Sequence, residues 1–139
     1  MDWIRDGAID MVVTYFGISE HGLQSTQVAV QRLALFAAPS RGGGDPIETD
    51  GVKRQHSLAY VEWGPPFTEW FRQEFDAGSL VAHVDQAPLL LKILEEGGHV
   101  GFMPAALAQD AVRGGRLVEM PYRPRVGMPA RAAHLVSSE

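Results

Sequence analysis

The chain contains no cysteine. That excludes a disulfide frame and any thiolate zinc site. Positive charge is also short: 12 Lys and Arg stand against 17 Asp and Glu, for a net charge of -5. Phosphate binding needs clustered Lys and Arg, and no basic stripe occurs, so nucleic acid is not expected as a direct partner. No uninterrupted apolar run approaches a membrane span, and no membrane partner is expected. The opening "MDWIRDGAID" has no long apolar segment behind a basic start, as a signal peptide would. A cytoplasmic protein is the expectation. What the chain does have is apolar content, 45% over 139 residues, which suits one domain, or a piece of one, with a buried core. No internal repeat or low-complexity segment is present.

Catalytic signatures are missing as well. The histidines at 21, 56, 83, 99 and 134 are not spaced as metal pairs on a helix or in a zinc loop. No Gly-x-Ser-x-Gly elbow occurs. "RGGGDP" lacks the Lys-Ser/Thr and the helix that a phosphate loop needs, and reads as a flexible loop. Glu95 and Glu96 are consecutive, and consecutive helical residues do not face each other, so they read as a solvated helix end. The chain is therefore expected not to be an enzyme, and no cofactor or metal is expected.

Periodicity orders the rest. "MDWIRD" reads as the last turn of a helix stopped by Gly7, and "GAIDMVV" as a buried strand. "GISEHGLQST" reads as loop. "VAVQRLALFAAPS" splits into two strand pieces with a break near Gln31 and Arg32. "SRGGGDPIETDG" reads as loop by its glycines and proline. "HSLAYVEW" is a strand. In "PPFTEWFRQEFDAG", Phe67, Trp70, Phe71 and Phe75 fall on one helical face, read as core, and Gly78 would close the helix. "SLVAHV" is a strand. "DQAPLLLKILEEGG" is a helix with Asp85 as candidate N-cap and Gly97 or Gly98 as its stop. "HVGFM" is a strand, Pro104 opens another helix stopped by Gly114, "LVEMPY" is extended, and "ARAAHLV" is a last strand. Strand and helix alternate through the second half, which makes the fold class α/β with a largely parallel sheet. "EEGGHVGFMPAAL" is thus a tight helix–strand–helix crossover. If its turn needs a positive φ at Gly98, Gly98→Val should destabilise the domain.

Several of these stretches resemble the effector domains of LysR-type transcriptional regulators. "EEGGHVGFMPAAL" is similar to that family's helix, glycine turn, small apolar strand and Leu-Pro, with Met103-Pro104 in place of Leu-Pro. "GAIDMVV" resembles its Gly-x-Leu-Asp-x-x-Ile strand, "LALFAAPS" the strand leading between the lobes, and "GGRLVEMP" its Gly-x-Leu-Val-x-Leu. The similarity runs from about Gly7 to Val136. His99 stands where the family commonly has a second glycine, and histidine tolerates a left-handed backbone better than most residues.

The resemblance implies a type II periplasmic-binding-protein-like fold: two α/β lobes with mixed, mainly parallel sheets that clasp a small molecule. It places one lobe at about 1–38 and 131–139 and the other at about 39–130. The family's DNA-binding winged helix-turn-helix, its linker helix and the first strand and helix of its effector module have no counterpart here, so the chain is expected to be a partial effector domain. The implied partners are a small-molecule effector, a carboxylate or an aromatic compound, and a second copy in a homodimer. DNA would be reached only through a domain absent from this chain.

Ligands of open α/β sheets bind beyond the carboxyl ends of strands, near helix N-termini. Three loops answer to that: "TYF", "WGPPFT" and "HVDQA", which the resemblance turns toward the cleft. Thr14, Tyr15, Trp63, Gly64, Thr68, Asp85 and Gln86 are the expected ligand-binding residues, with hydroxyl, amide and aromatic groups to offer. Trp63 has a competing reading as packing at the lobe boundary, and Asp85 as a helix cap. The function expected is co-inducer sensing: the ligand closes the lobes and changes how the domains pair, controlling transcription. A stand-alone small-solute-binding protein of the same fold is the alternative, and an unrelated α/β protein whose patterns coincide is a third.

Overall fold

The computed structural model of the chain describes residues 11–14, 23–41, 44–75 and 81–138. Strands β1 (Met11–Thr14) and β2 (Leu23–Gln31) flank β10 (Arg131–Ser138) in an antiparallel sheet of order β1–β10–β2. β2 begins inside the stretch "GISEHGLQST" expected to be loop. Pairing along the whole of β10 supplies its backbone bonds, and that long-range ladder overrides local turn residues. The register slips between Ala133 and His134. The helical reading of residues 1–6 lies outside the described residues.

The predicted break falls at Arg32, between β2 and β3 (Leu33–Ala37). Every residue of β3 is buried, as expected of a continuous apolar strand in a sheet interior. It runs antiparallel between β7 (Gly101–Pro104) and β8 (Val118–Glu119). β5 (Leu58–Tyr60) pairs in parallel with β6 (Val81–His83), and Leu58 bridges in parallel to Val100, just before β7. The result is one mixed layer, β6–β5–β7–β3–β8. β4 (Ile47–Glu48) pairs in parallel with β9 (Tyr122–Arg123).

Four helices are described: α1 (Thr49–Gln55), α2 (Pro65–Glu74), α3 (Ala87–Glu95) and α4 (Ala105–Arg113). α1 corrects the sequence reading, which left residues 40–51 as loop. It buries Thr49, Gly51 and Val52, and such packing stabilises a short helix that propensity does not. α2 ends at Glu74 with Phe75 as its cap residue, and Gly78 lies outside the described residues. α3 starts one residue later than expected. Its cap residue is Gln86, not Asp85, and no side chain bonds to the freed N–H groups.

The crossover from α3 to β7 also differs in detail. Gly97 takes φ +86°, whereas Gly98 does not need a positive φ and a Cβ there would meet nothing within 4 Å. Among the described residues no non-glycine has a positive φ, so His99 does not use the left-handed tolerance expected of it. The sterically critical glycine is Gly101. A Cβ at that position would lie 2.9 Å from the Ala59 carbonyl oxygen and 3.3 Å from side-chain atoms of Leu90 and Leu94. Gly101 thus lets β7 approach β5 while α3 packs over both.

The core centres on the aromatic face of α2. Phe67, Trp70, Phe71 and Phe75 are all buried, as the spacing predicted, and each ring lies within 6.3 Å of the Phe102 ring of β7. At the far end of α2 sits a buried acid. Glu74 is 2% exposed. Its Oε1 accepts from the Thr49 hydroxyl at 2.8 Å and from the Arg125 backbone N–H at 2.8 Å. The Arg125 guanidinium donates to the Glu74 carbonyl at 2.9 Å. Because the Thr49 proton is committed to Glu74, the Tyr122 hydroxyl, 2.7 Å away, donates to Thr49. Burial pushes the Tyr122 phenol up to about 12, and the nearby Glu74 carboxylate acts in the same direction.

Gly101→Ala should cost roughly 1–3 kcal/mol by overpacking, while Gly98→Val should be tolerated, within about 0.5 kcal/mol. Urea midpoints of the two variants test this, and equal midpoints would count against the close approach. Thr49→Val should cost roughly 1–3 kcal/mol by orphaning the Tyr122 hydroxyl and a lone pair of Glu74. Because the folded phenol holds its proton more tightly, its contribution to stability should be flat below about pH 10 and fall between about pH 10 and 12. Absorbance titration of tyrosinate with parallel melts would show a phenol that ionises only as the fold is lost.

Candidate functional site

Parallel pairing sets Tyr60 opposite His83, so the carboxyl ends of β5 and β6 lie side by side. The Val84 N–H donates to the Tyr60 carbonyl at 2.8 Å and carries the ladder one step past the strands. Beyond that step the two chains diverge into α2 and α3. Between them opens a cavity of about 440 Å³ lined by Tyr60, Val61, Glu62, His83, Val84 and Asp85. Its position is the one that open α/β sheets use for ligands.

The walls are tied together. The Tyr60 ring packs on Phe67 and Phe71 and meets His83 edge-on, with ring centroids 5.4 Å apart. Thr68, in the second turn of α2, lies 3.0 Å from the Tyr60 hydroxyl and donates to Glu62 at 3.3 Å. Since Thr68 has one proton, the Tyr60 hydroxyl donates to Thr68. The order Tyr60 to Thr68 to Glu62 fixes the Tyr60 ring against the cavity and anchors one side of Glu62.

The expected site residues divide. Asp85 lines the cavity. Thr68 stands behind it, bonded to two neighbours, Tyr60 and Glu62. Gly64 and Gln86 are the cap residues of α2 and α3; Gly64 has φ 108° and ψ 162°, a backbone state that glycine tolerates best. Trp63 departs from the expected stacking role. It is 5% exposed, and its indole N–H donates to the Phe102 carbonyl at 2.7 Å. A buried indole must satisfy that N–H, and a strand end facing the core supplies the partner. Thr14 closes β1 opposite His134, and Tyr15 lies outside the described residues.

Tyr60, Glu62 and His83 line the cavity but are not among the expected site residues. The strand reading of "HSLAYVEW" ran to Trp63, whereas β5 stops at Tyr60. The loop that faces the cavity therefore begins at Val61. The signal was in the stretch "YVEWGPP", where a glycine and two prolines pull the chain out of the sheet earlier than apolar content suggests.

A second, open concavity of about 490 Å³ lies along α4 and the sheet edge and includes Arg32, Gln109, Arg113 and Glu119. Arg32 and Glu119 face each other bidentately there, at 2.9 and 2.8 Å. Among the described residues no group of three acids and histidines is placed to hold a metal ion. No described helix is long and apolar enough to cross a membrane.

This is the architecture of a mixed α/β module with a cavity at the ends of parallel strands. The chain belongs to the LysR substrate binding domain family, whose model matches residues 1–139. No curated protein matches it. Among solved structures, it is similar to a probable transcriptional regulator from Pseudomonas aeruginosa, with a TM-score of 0.75 at 18% identity, covering 99% of this chain and 48% of that one. A mutant OxyR2 regulatory domain from Vibrio vulnificus gives a TM-score of 0.74 at 19% identity, over 99% of this chain and 66% of that one. Full-length CbnR complexed with its target DNA gives 0.74 at 18% identity, over 99% and 50%. At such identities the likeness establishes the fold. The chain spans between about half and two thirds of the length of these structures.

Proposed function

We propose that the chain is the small-molecule-sensing part of a LysR-type transcriptional regulator and that the effector enters the cavity at the ends of β5 and β6. The observation that carries the reading is positional. In a LysR substrate binding domain, the cavity opens at the carboxyl ends of adjacent parallel strands, between the N-termini of α2 and α3. Asp85 and the chain Tyr60–Thr68–Glu62 form this wall, and Gly64 and Gln86 shape its two loops. One lobe takes about 1–31 with 131–139 and the other about 32–130, a boundary earlier than the expected 38–39 because β3 pairs with β7 and β8. The path between them turns at Arg32 and returns through 124–130. Ligand binding closes the lobes and alters how two copies pair in a homodimer, and DNA is reached by another domain. The site of action is the cytoplasm, and the module senses without catalysing.

Thermal unfolding against a panel of small metabolites tests this. A ligand at about a hundred times its dissociation constant adds roughly 2.7 kcal/mol, a rise of several degrees for a chain of this size. His83→Ala and Thr68→Val should each weaken that response about tenfold, and Gln109→Ala, in the other concavity, should not. A response untouched by His83→Ala and Thr68→Val, or abolished by Gln109→Ala, would move the site elsewhere. A panel with no response at all would count against sensing.

A further inference from the structure

We infer that this cavity takes an organic cation, a primary amine or a guanidinium, carried on an apolar or aromatic body. The inference rests on the reading of the cavity as the ligand site and adds the charge of the ligand. Two carboxylates, Glu62 and Asp85, line the space, and among the described residues no lysine or arginine does. Among the described residues neither carboxylate is ion-paired. Unanswered like charges in one concavity raise its affinity for positive charge and oppose a carboxylate. The Arg32 guanidinium, which could have served an anion, is already held on both sides by Glu119.

The helix ends point the same way by a separate route. Helix N-termini draw anions through free N–H groups. Here α2 opens with Pro65 and Pro66, which have none, and α3 carries Pro88 in its first turn. The Phe67 residue that follows the two prolines is 2% exposed, and the Thr68 N–H is spent on the Gly64 carbonyl. The donors that would cradle a carboxylate are thus depleted at the start of α2, while α3 lacks only the one at Pro88. What remains suits a cation with a body attached. The Tyr60 ring offers a π face, Val61 and Val84 offer apolar contact, and His83 offers a further polar edge. A metal ion is a poorer fit, since Glu62, His83 and Asp85 do not converge as ligands.

Three probes of one shape separate the charges: phenethylamine, phenethyl alcohol and hydrocinnamate. The purified chain is melted with each, alongside the double variant E62Q/D85N. The amine should raise the melting temperature by roughly 3–6 °C at about ten times its dissociation constant, with the alcohol weaker and the acid silent. The double variant should melt normally without ligand and bind the amine about tenfold more weakly, or worse. Hydrocinnamate matching or exceeding the amine would overturn the inference, as would an amine response unchanged in E62Q/D85N. Silence from all three probes would overturn it too. If a panel metabolite still shifted the melt in that case, the sensing reading would stand and only the charge assignment would fall.

Discussion

Helix α2 is pressed onto the sheet by its aromatic face, and the cavity and the return to β10 both depend on that contact. Four rings of one helical stripe surround Phe102 of β7, and truncating one such buried ring typically costs about 3–5 kcal/mol. With its roll angle so fixed, α2 has no freedom in what its two ends present. The N-terminal end offers Thr68 to Tyr60 and Glu62. The C-terminal end offers Glu74 to Thr49 and Arg125, and the Trp70 indole N–H holds the Val126 carbonyl at 2.8 Å. One rigid element therefore touches the proposed ligand wall and the segment that leads back to the other sheet. A shift of α2 on ligand binding would be felt at Arg125 and Val126 without any intermediate element.

Buried and exposed charges have different parts here. Glu74 is enclosed and fully answered, by a hydroxyl, a backbone N–H and a guanidinium, and it organises α1, α2 and β9 around one acid. Arg32 and Glu119 are paired in the open, a geometry of modest energetic weight but fixed direction, at the point where the chain changes sheets. Glu62 and Asp85, at the strand ends, have no basic partner among the described residues, and Glu62 accepts from the Thr68 hydroxyl. The two lie together in one cavity, where a ligand can reach them.

Much of the fold was legible because it follows from period and punctuation. The stripe at Phe67, Trp70, Phe71 and Phe75 announced α2 and its core, the apolar run at Leu33–Ala37 announced β3, and Pro104 after "HVGFM" announced the start of α4. What failed needed information that is not local. β2 extends into a turn-rich stretch because β10 supplies its partners. α1 forms because Thr49 and Val52 have a place to be buried. The glycine in "EEGGHVG" that steric fit makes indispensable is Gly101, at the start of β7, and only the distance to the Ala59 carbonyl reveals it. The candidate site was legible as two loops and in Asp85, but not in its other side chains. Placing the end of β5 at Trp63 instead of Tyr60 hid Tyr60 and Glu62 and promoted a core tryptophan to a ligand contact.

Amide hydrogen exchange, with and without whichever compound raises the melting temperature most, tests the central claim most directly. If the ligand lies at the ends of β5 and β6 and acts through α2, protection should rise across 61–68 and 84–87 and extend to 122–126. Protection confined to 105–113 and 118–119, with 61–68 and 84–87 unchanged, would contradict it.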